Sequence, residues 1–199
     1  MVSLESSKTK GWAIWITGLP GSGKSTVAHL LKKKLSEKGL LSQVISSDAV
    51  RAVLMPTSTY TEEERELVYR TITLLAKMLT ENGLGVIIDA TGNRRRYRDN
   101  CRAQVTVFFE VYLKCPLRVC IEREQFRKET YQAPRDIYQR AKNGESETVP
   151  GVGVPYEAPE KPEITVNSDQ QSPEEIVQVI TSKLLERLRA AHQSIDIID

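Results

Sequence analysis

Two adjacent segments decide the fold of this chain: Trp12-Ala-Ile-Trp-Ile-Thr17 and Gly18-Leu-Pro-Gly-Ser-Gly-Lys24-Ser25. The second fits G-x-x-x-x-G-K-[ST], the pattern of a loop that binds nucleotide phosphates. It follows a short apolar run and precedes a helical pattern of apolar residues at Val27, Leu30, Leu31 and Leu35. Strand, tight loop and helix are therefore predicted in the order that the pattern requires.

This loop predicts how ATP is held. Glycines allow backbone amides to turn toward the phosphates, and the positive end of the following helix adds to that attraction. We expect Lys24 to reach the β and γ phosphates as a catalytic residue, and the Ser25 hydroxyl to ligate Mg²⁺, the expected cofactor. The predicted ATP-binding residues are Gly18, Leu19, Pro20, Gly21, Ser22, Gly23, Lys24, Ser25 and Thr26.

The rest of the chain alternates strands with helices. Further strands are predicted at residues 44–45, 85–89, 108–113 and 164–166, and long helices at 61–82 and 173–191. This alternation indicates a parallel sheet covered on both faces. We predict an α/β fold, namely the three-layer sandwich of P-loop NTPases with a five-stranded parallel sheet.

The 199 residues suit one domain, predicted at residues 11–192, between a polar lead-in (1–10) and a tail (193–199). Residues 125–160 interrupt the alternation with a stretch rich in charge, Tyr, Pro and Gly and without a predicted strand. An irregular stretch of this length inside a domain is usually functional. We expect it to be a lid.

Composition argues against several classes of protein. A formal net charge of only +2 gives no support for a nucleic-acid partner. No apolar run approaches the ~20 residues of a membrane span, and the first residues lack the apolar core of a signal peptide. Three cysteines without metal-ligand spacing favour reduced thiols and a cytoplasmic location.

Two aspartates follow predicted strands. Asp89 ends the apolar run 85–89 and is expected to hold Mg²⁺, although a helix cap or turn residue is the alternative reading. Asp48 is taken to close the second strand, in Ile45-Ser-Ser-Asp48, with an N-cap for a helix over 49–54 as its alternative. Ligands of α/β sheets bind at the carboxyl ends of strands, which favours a functional role for both.

Arginine can fork onto phosphate or sulfate, and this chain has many arginines after the carboxylates and in the suspected lid. Most arginines in a protein are merely solvated. Those beside a strand end or in the lid are expected to be the exceptions. The candidates are Arg51, Arg65, Arg70, Arg94, Arg95, Arg96, Arg98, Arg118, Arg123, Arg127, Arg135 and Arg140.

From residue 10 to 185 the chain resembles the adenylylsulfate kinases, which use ATP to phosphorylate the 3′-hydroxyl of adenosine phosphosulfate. The resemblance begins with Lys10-Gly-Trp-Ala-Ile-Trp-Ile and continues through the phosphate loop. It extends to Glu110-Val-Tyr-Leu-Lys-Cys-Pro-Leu-Arg-Val-Cys120, to Ile137-Tyr-Gln-Arg-Ala-Lys-Asn-Gly-Glu145, and to Gly151-Val-Gly-Val-Pro-Tyr-Glu-Ala-Pro159. These later blocks are not general features of P-loop proteins.

The departures from the family concern the acceptor. Its Asp-Gly-Asp-x-x-Arg is Ser46-Ser47-Asp48-Ala49-Val50-Arg51 here, and Leu67 and Val68 stand where polar residues are expected. Its Ile-Ser-Pro segment is replaced by Asp89-Ala-Thr-Gly-Asn93, which is similar to polynucleotide-kinase-type enzymes. Val149 replaces an aromatic residue that would stack on the acceptor's adenine. The lid carries an insertion of about nine residues at 125–133.

The resemblance implies an ATP-dependent kinase that acts on adenosine 5′-phosphosulfate in sulfate assimilation, with Asp48 orienting or deprotonating the acceptor hydroxyl. A related kinase with another small acceptor (a modified nucleotide, a sugar or a nucleic-acid end) is the alternative, and a nucleotide-dependent switch a third. The implied partners are ATP, a small acceptor and a second copy in a homodimer. The expected substrate-binding residues are Asp48, Arg51, Arg65, Arg70, Thr91 and Arg135; the metal ligands are Ser25 and Asp89.

Overall fold

The computed structural model describes residues 11–55 and 57–193, without the side chains of residues 191–193. The predicted lead-in, residues 1–10, lies outside the described part of the chain. The predicted tail, 193–199, also lies outside it except for residue 193, which ends the last helix.

Five strands in the described residues form one parallel sheet in the order β2-β3-β1-β4-β5. The α/β fold and the five-stranded parallel sheet are as predicted. The strands are β1 (Ala13–Thr17), β2 (Ser42–Ser46), β3 (Gly85–Asp89), β4 (Phe108–Lys114) and β5 (Ile164–Asn167).

Helices cover both faces of the sheet, and the two long ones agree closely with their predicted ranges. The predicted lid is not wholly irregular, because residues 125–126 end one helix and residues 137–142 form another. The helices are α1 (Lys24–Ser36), α2 (Ser47–Leu54), α3 (Glu62–Glu81), α4 (Arg95–Gln104), α5 (Leu117–Phe126), α6 (Ile137–Lys142) and α7 (Pro173–Gln193). None of the helices in the described residues is long and apolar enough to cross a bilayer.

The start of α2 corrects both readings of Asp48. Strand β2 ends at Ser46, whose hydroxyl accepts hydrogen bonds from the backbone amides of Asp48 and Ala49. Ser46 is therefore the N-cap, because a serine hydroxyl satisfies the free amides of a first helical turn. Asp48 is the second residue of α2, and its carboxylate is not used in capping.

The hydrophobic core has one half on each face of the sheet. On one face, α1 and α7 pack Leu31, Leu35 and Ile180 against the strands. On the other, α3 and α4 contribute Ile72 and Cys101. Both tryptophans, Trp12 and Trp15, are buried in this core, and the three cysteines are free and buried.

A buried ion pair fixes the base of the lid to the sheet. Arg98 of α4 donates to the carboxylate of Glu110 in β4, and both side chains are almost fully buried. The same guanidinium donates to the backbone carbonyls of Gly92 and Glu157. Arg98 therefore holds together a helix, a central strand, the loop after β3 and the chain that leaves the lid.

We expect Glu110→Ala to lower the free energy of unfolding by about 3–5 kcal/mol, because it leaves a buried guanidinium without its counter-charge. Urea denaturation followed by circular dichroism measures this. The control Glu81→Ala removes an exposed pair with Lys77 and should change the free energy by less than about 1 kcal/mol. Equal losses in both variants would contradict the role given to Arg98.

Candidate active site

A cavity of about 630 Å³ lies at the carboxyl edge of the sheet. The phosphate loop and the start of α1 form its floor. Helices α2 and α3 line one side, and the lid lines the other. Of the predicted site residues, the cavity brings together Pro20, Gly21, Gly23, Lys24, Ser25, Thr26, Asp48, Arg51, Arg65, Asp89 and Thr91.

The phosphate loop needs glycine at two positions. Gly21 has φ 80, and a Cβ atom there would lie 2.3 Å from the carbonyl oxygen of Cys120. Gly23 has φ 98 and caps α1. Both backbones adopt left-handed conformations that L side chains disfavour. The loop is thereby curled tightly enough to present its amides and the N-terminus of α1 to an anion.

Lys24 is the cation at the centre of the cavity floor. Its ammonium group donates to the carbonyl of Leu19 at 3.0 Å, which holds the side chain across the loop. Burial lowers the pKa of Lys24, and the negative charges of Asp89 and Asp48 oppose that shift. Both carboxylates therefore lie within electrostatic reach of the lysine that is expected to bind phosphate.

The two aspartates belong to different elements, and the charge of Asp89 acts on Asp48. Asp89 ends β3 and is buried. Burial, with the nearby charge of Asp89, raises the pKa of Asp48 to about 6. Because two like charges at short range disfavour each other's ionisation, the pair is a good receptor for a cation.

These donors fit Mg²⁺. A hydroxyl from Ser25 and a carboxylate oxygen from Asp89 are the hard oxygen ligands that Mg²⁺ prefers. Among the described residues, no group of three or more His, Cys, Asp or Glu side chains forms a site for a metal ion. That agrees with the usual Mg²⁺ site of a kinase, where phosphates and water supply most ligands.

Arg51 is poised to bind an anion. Its side chain is buried, its guanidinium lies 4.4 Å from the ring centre of Tyr60, and one amine reaches Glu64 at 3.4 Å. The Nε atom of Arg51 is buried and has no hydrogen-bond partner among the described residues. An unpartnered buried donor beside a cavity is costly unless a ligand satisfies it.

Arg65 also lines the cavity, but its donors are engaged by the protein. They reach the carbonyl of Tyr60 at 3.2 Å, the side chain of Asn93 at 3.3 Å and the carbonyl of Thr148 at 2.6 Å. Arg65 thus ties α3 to the loop after β3 and to the lid. Its position fits a residue that shapes the acceptor side of the cavity.

Arg70 and Arg135 are not brought to this site. Both are exposed and stand outside the cavity as the described residues form it. Five residues along a helix turn the side chain by well over a third of a revolution, so Arg70 points away from the side that Arg65 faces. Arg135 donates instead to the carbonyl of Lys128.

The cavity also includes candidate arginines of the lid and several tyrosines that were not singled out from the sequence. Arg127 lines the cavity, and its charge acts on both Lys24 and Asp48. Tyr138 of α6 donates to the carbonyl of Pro20 at 2.8 Å and so fastens the lid to the phosphate loop. The prediction chose Arg135 from the lid arginines, but the segment lacks a clear period that would indicate which arginine or tyrosine faces inward. Of the candidate arginines in or before the lid, Arg123, Arg127 and Arg140 line the cavity, whereas the lining tyrosines Tyr60, Tyr69 and Tyr131 had no role assigned from the sequence.

A parallel α/β sheet with a phosphate loop after its central strand, a carboxylate at the end of the neighbouring strand β3 and a second carboxylate on the first turn of α2 is the arrangement of a P-loop kinase. The family profile of adenylylsulphate kinase matches residues 10–167. The chain belongs to the adenylylsulfate kinase family, whose members are ATP-dependent kinases that transfer phosphate to a hydroxyl group.

Individual relatives agree over most of the chain. The adenylyl-sulfate kinase of Rippkaea orientalis is 37% identical over 179 residues, which cover 90% of this chain and 94% of the relative. The adenylyl-sulfate kinase of Clostridium acetobutylicum is 38% identical over 178 residues, which cover 89% of this chain and 84% of the relative. The APS kinase of Mycobacterium tuberculosis, solved with AMPPNP and APS, superposes with a TM-score of 0.78 at 31% identity, covering 88% of this chain and 98% of that one.

The raised pKa of Asp48 gives a stability prediction for the ligand-free protein. A carboxyl whose folded pKa is about 6, above its usual 3.8, binds more protons folded than unfolded. Its contribution to stability is therefore lost as pH rises between those values. Asp48→Asn removes that penalty. It should raise the free energy of unfolding at pH 7.5 by roughly 1–3 kcal/mol.

Urea denaturation in EDTA at pH 7.5 and at pH 4 measures the difference, which should shrink at the lower pH. A variant that is less stable than the parent at pH 7.5 would mean that Asp48 is stabilised by a cationic partner in the folded state.

Proposed function

We propose that this protein transfers the γ-phosphate of ATP to the 3′-hydroxyl of adenosine 5′-phosphosulfate and forms 3′-phosphoadenosine 5′-phosphosulfate. One observation carries the proposal: a single cavity joins Lys24 and Ser25 to Asp48 and Arg51. Donor phosphates on the first pair would face an acceptor held by the second. Membership of the family supports the choice of acceptor.

The donor side works by positioning and charge. The loop amides and Lys24 bind the β and γ phosphates, and Ser25 and Asp89 are the residues that would hold the metal. When bound, Mg²⁺ neutralises charge that develops on the phosphates. Little covalent chemistry falls to the protein in phosphoryl transfer, so this preorganised cradle is the main catalytic device.

The acceptor side supplies the base. Asp48, on the first turn of α2, would accept a hydrogen bond from the acceptor hydroxyl and take its proton as transfer proceeds. A pKa of about 6 suits this role, because a general base is most effective when its pKa lies near the working pH. The guanidinium of Arg51, which lines the same cavity, would bind the anionic end of the acceptor.

A different small acceptor is the second candidate, and Val149 favours it. Val149 is buried against Tyr138 and Cys120, and it offers no ring to a nucleobase. Selection for adenine at this point would then have to come from other contacts. This part of the cavity lining fits a kinase whose acceptor is a hydroxyl compound without a nucleobase.

An ADP-release assay separates these candidates. Purified protein with MgATP is offered adenosine 5′-phosphosulfate, and then sugars, nucleosides and a 5′-hydroxyl oligonucleotide at equal concentration. Fastest turnover with adenosine 5′-phosphosulfate, with the product identified by mass spectrometry, is the expected result. Faster turnover with another acceptor would replace the proposed reaction by the second candidate.

Two variants test the assigned roles with the best acceptor. Lys24→Ala should abolish ADP release, since the γ-phosphate loses its main cation. Asp48→Asn should lower kcat by roughly 10²-fold or more while the KM for ATP changes little, as expected for the loss of a general base. An unchanged kcat together with weaker ATP binding would make Asp48 a metal ligand and Asp89 the better candidate for the base.

We also propose a homodimer and a cytoplasmic location. Three free, buried thiols support a reducing compartment. Leu67, Leu74 and Met78 support the dimer, because they lie on one face of α3 and are each about half exposed. An apolar stripe along a long helix is a typical surface for pairing with a second copy around a two-fold axis.

The double variant Leu74→Glu/Met78→Glu should convert the dimer to monomer in sedimentation velocity, because buried glutamates would face each other across the axis. The control Leu41→Glu changes an exposed leucine before β2 and should leave the mass unchanged. A parent protein that sediments as a monomer at micromolar concentration would contradict the dimer.

A further inference from the structure

The inserted part of the lid, residues 125–133, forms a flap over the start of α1. Its turn is closed by a hydrogen bond from the amide of Ala133 to the carbonyl of Thr130 at 2.9 Å. The carboxylate of Glu129 accepts from the amides of Thr130 and Tyr131. These bonds hold Tyr131 in a left-handed conformation, φ 48, which a non-glycine residue adopts only when its surroundings hold it there.

The ring of Tyr131 lies on a second ring. It stacks on His29 with centroids 4.4 Å apart and planes 24° from parallel. The Nδ1 atom of His29 is 2.8 Å from the carbonyl oxygen of Ser25, which fixes the imidazole against α1. The two rings make a platform about one helical turn beyond the residue expected to ligate Mg²⁺.

This platform faces the donor side. Tyr131 and Thr26 line the same cavity, and the only ring stacked on Tyr131 within the described residues comes from α1. The groups assigned to the acceptor, Asp48 and Arg51, belong to α2. In phosphoryl transfer the attacking and leaving oxygens are roughly in line, so the departing nucleotide extends away from the acceptor.

We propose that Tyr131 is a donor-binding residue, whose ring, backed by His29, stacks on the base of the nucleoside triphosphate. Tyr131 is partly exposed and lines the cavity, and His29 stacks on one face of its ring. An aromatic ring stacks on any nucleobase and needs no hydrogen bonds to do so. The flap thus gives the donor side an aromatic surface, Tyr131. The acceptor side has no such surface at position 149, which is a valine.

The proposal rests on the proposed function only in taking a nucleoside triphosphate as donor. It is tested by calorimetric titration of the full chain with MgATP and without any acceptor. Failure of adenosine 5′-phosphosulfate as a substrate therefore does not affect the outcome. The variants are Tyr131→Ala, Tyr131→Phe and Phe126→Ala. Phe126 is 73% exposed at the root of the same flap and stands outside the cavity formed by the described residues, so it is a matched control.

Tyr131→Ala should weaken MgATP binding about tenfold, the loss typical of one base-stacking ring. Tyr131→Phe and Phe126→Ala should stay within about twofold of the parent. Inorganic tripolyphosphate, which occupies the phosphate loop but has no base, distinguishes stacking from damage to the loop. Its affinity should be the same for Tyr131→Ala and the parent.

Two results would overturn the proposal. One is unchanged MgATP affinity in Tyr131→Ala. The other is an equal loss for MgATP and tripolyphosphate, which would make the tyrosine a structural support of the phosphate loop.

Discussion

Ile16 of β1, Asp89 of β3 and Ser46 of β2 lie at one level in three neighbouring parallel strands. Because parallel strands end at the same edge, this register places the phosphate loop, Asp89, which we propose as a metal ligand, and the start of α2 side by side. A shift of one residue in β3 would turn Asp89 to the opposite face of the sheet. The catalytic arrangement therefore depends on buried apolar packing that holds β1 and β3 in register.

The same edge gathers charges that do not stabilise the empty protein. Lys24 is partly desolvated, and Asp48 and Asp89 repel each other. A metal ion and the phosphates of a nucleotide would satisfy these groups together. Stability is in this way traded for a site whose charges are already in place, which is the general origin of catalysis by preorganisation.

Two anchoring contacts hold the lid to the sheet and to α3, and the sequence and length of the lid between these contacts and α5 can vary. Arg98 and Glu110 fix the chain at Glu157, and Arg65 holds the lid at Thr148. Between these points and α5 lies the flap of residues 125–133, which the resemblance to the family predicts to be an insertion. Insertions are tolerated at such a position because the flanking anchors are independent of loop length. Changes in specificity can therefore arise in the lid without disturbing the sheet.

The sequence by itself determined the α/β fold, the phosphate loop and the family, because each is written in local pattern: the alternation of strands and helices, glycines with Lys24, and apolar runs that end in aspartate. The sequence pattern placed Asp48 at the end of a strand. In the structure β2 ends at Ser46, whose hydroxyl caps the helix that follows. Only the tertiary structure decided which arginines face the cavity. Arg51 and Arg127 turn inward and Arg70 and Arg135 do not. The direction of a long side chain depends on the partners that the folded chain brings within its reach, such as Glu64 for Arg51 and the carbonyl of Pro134 for Arg127.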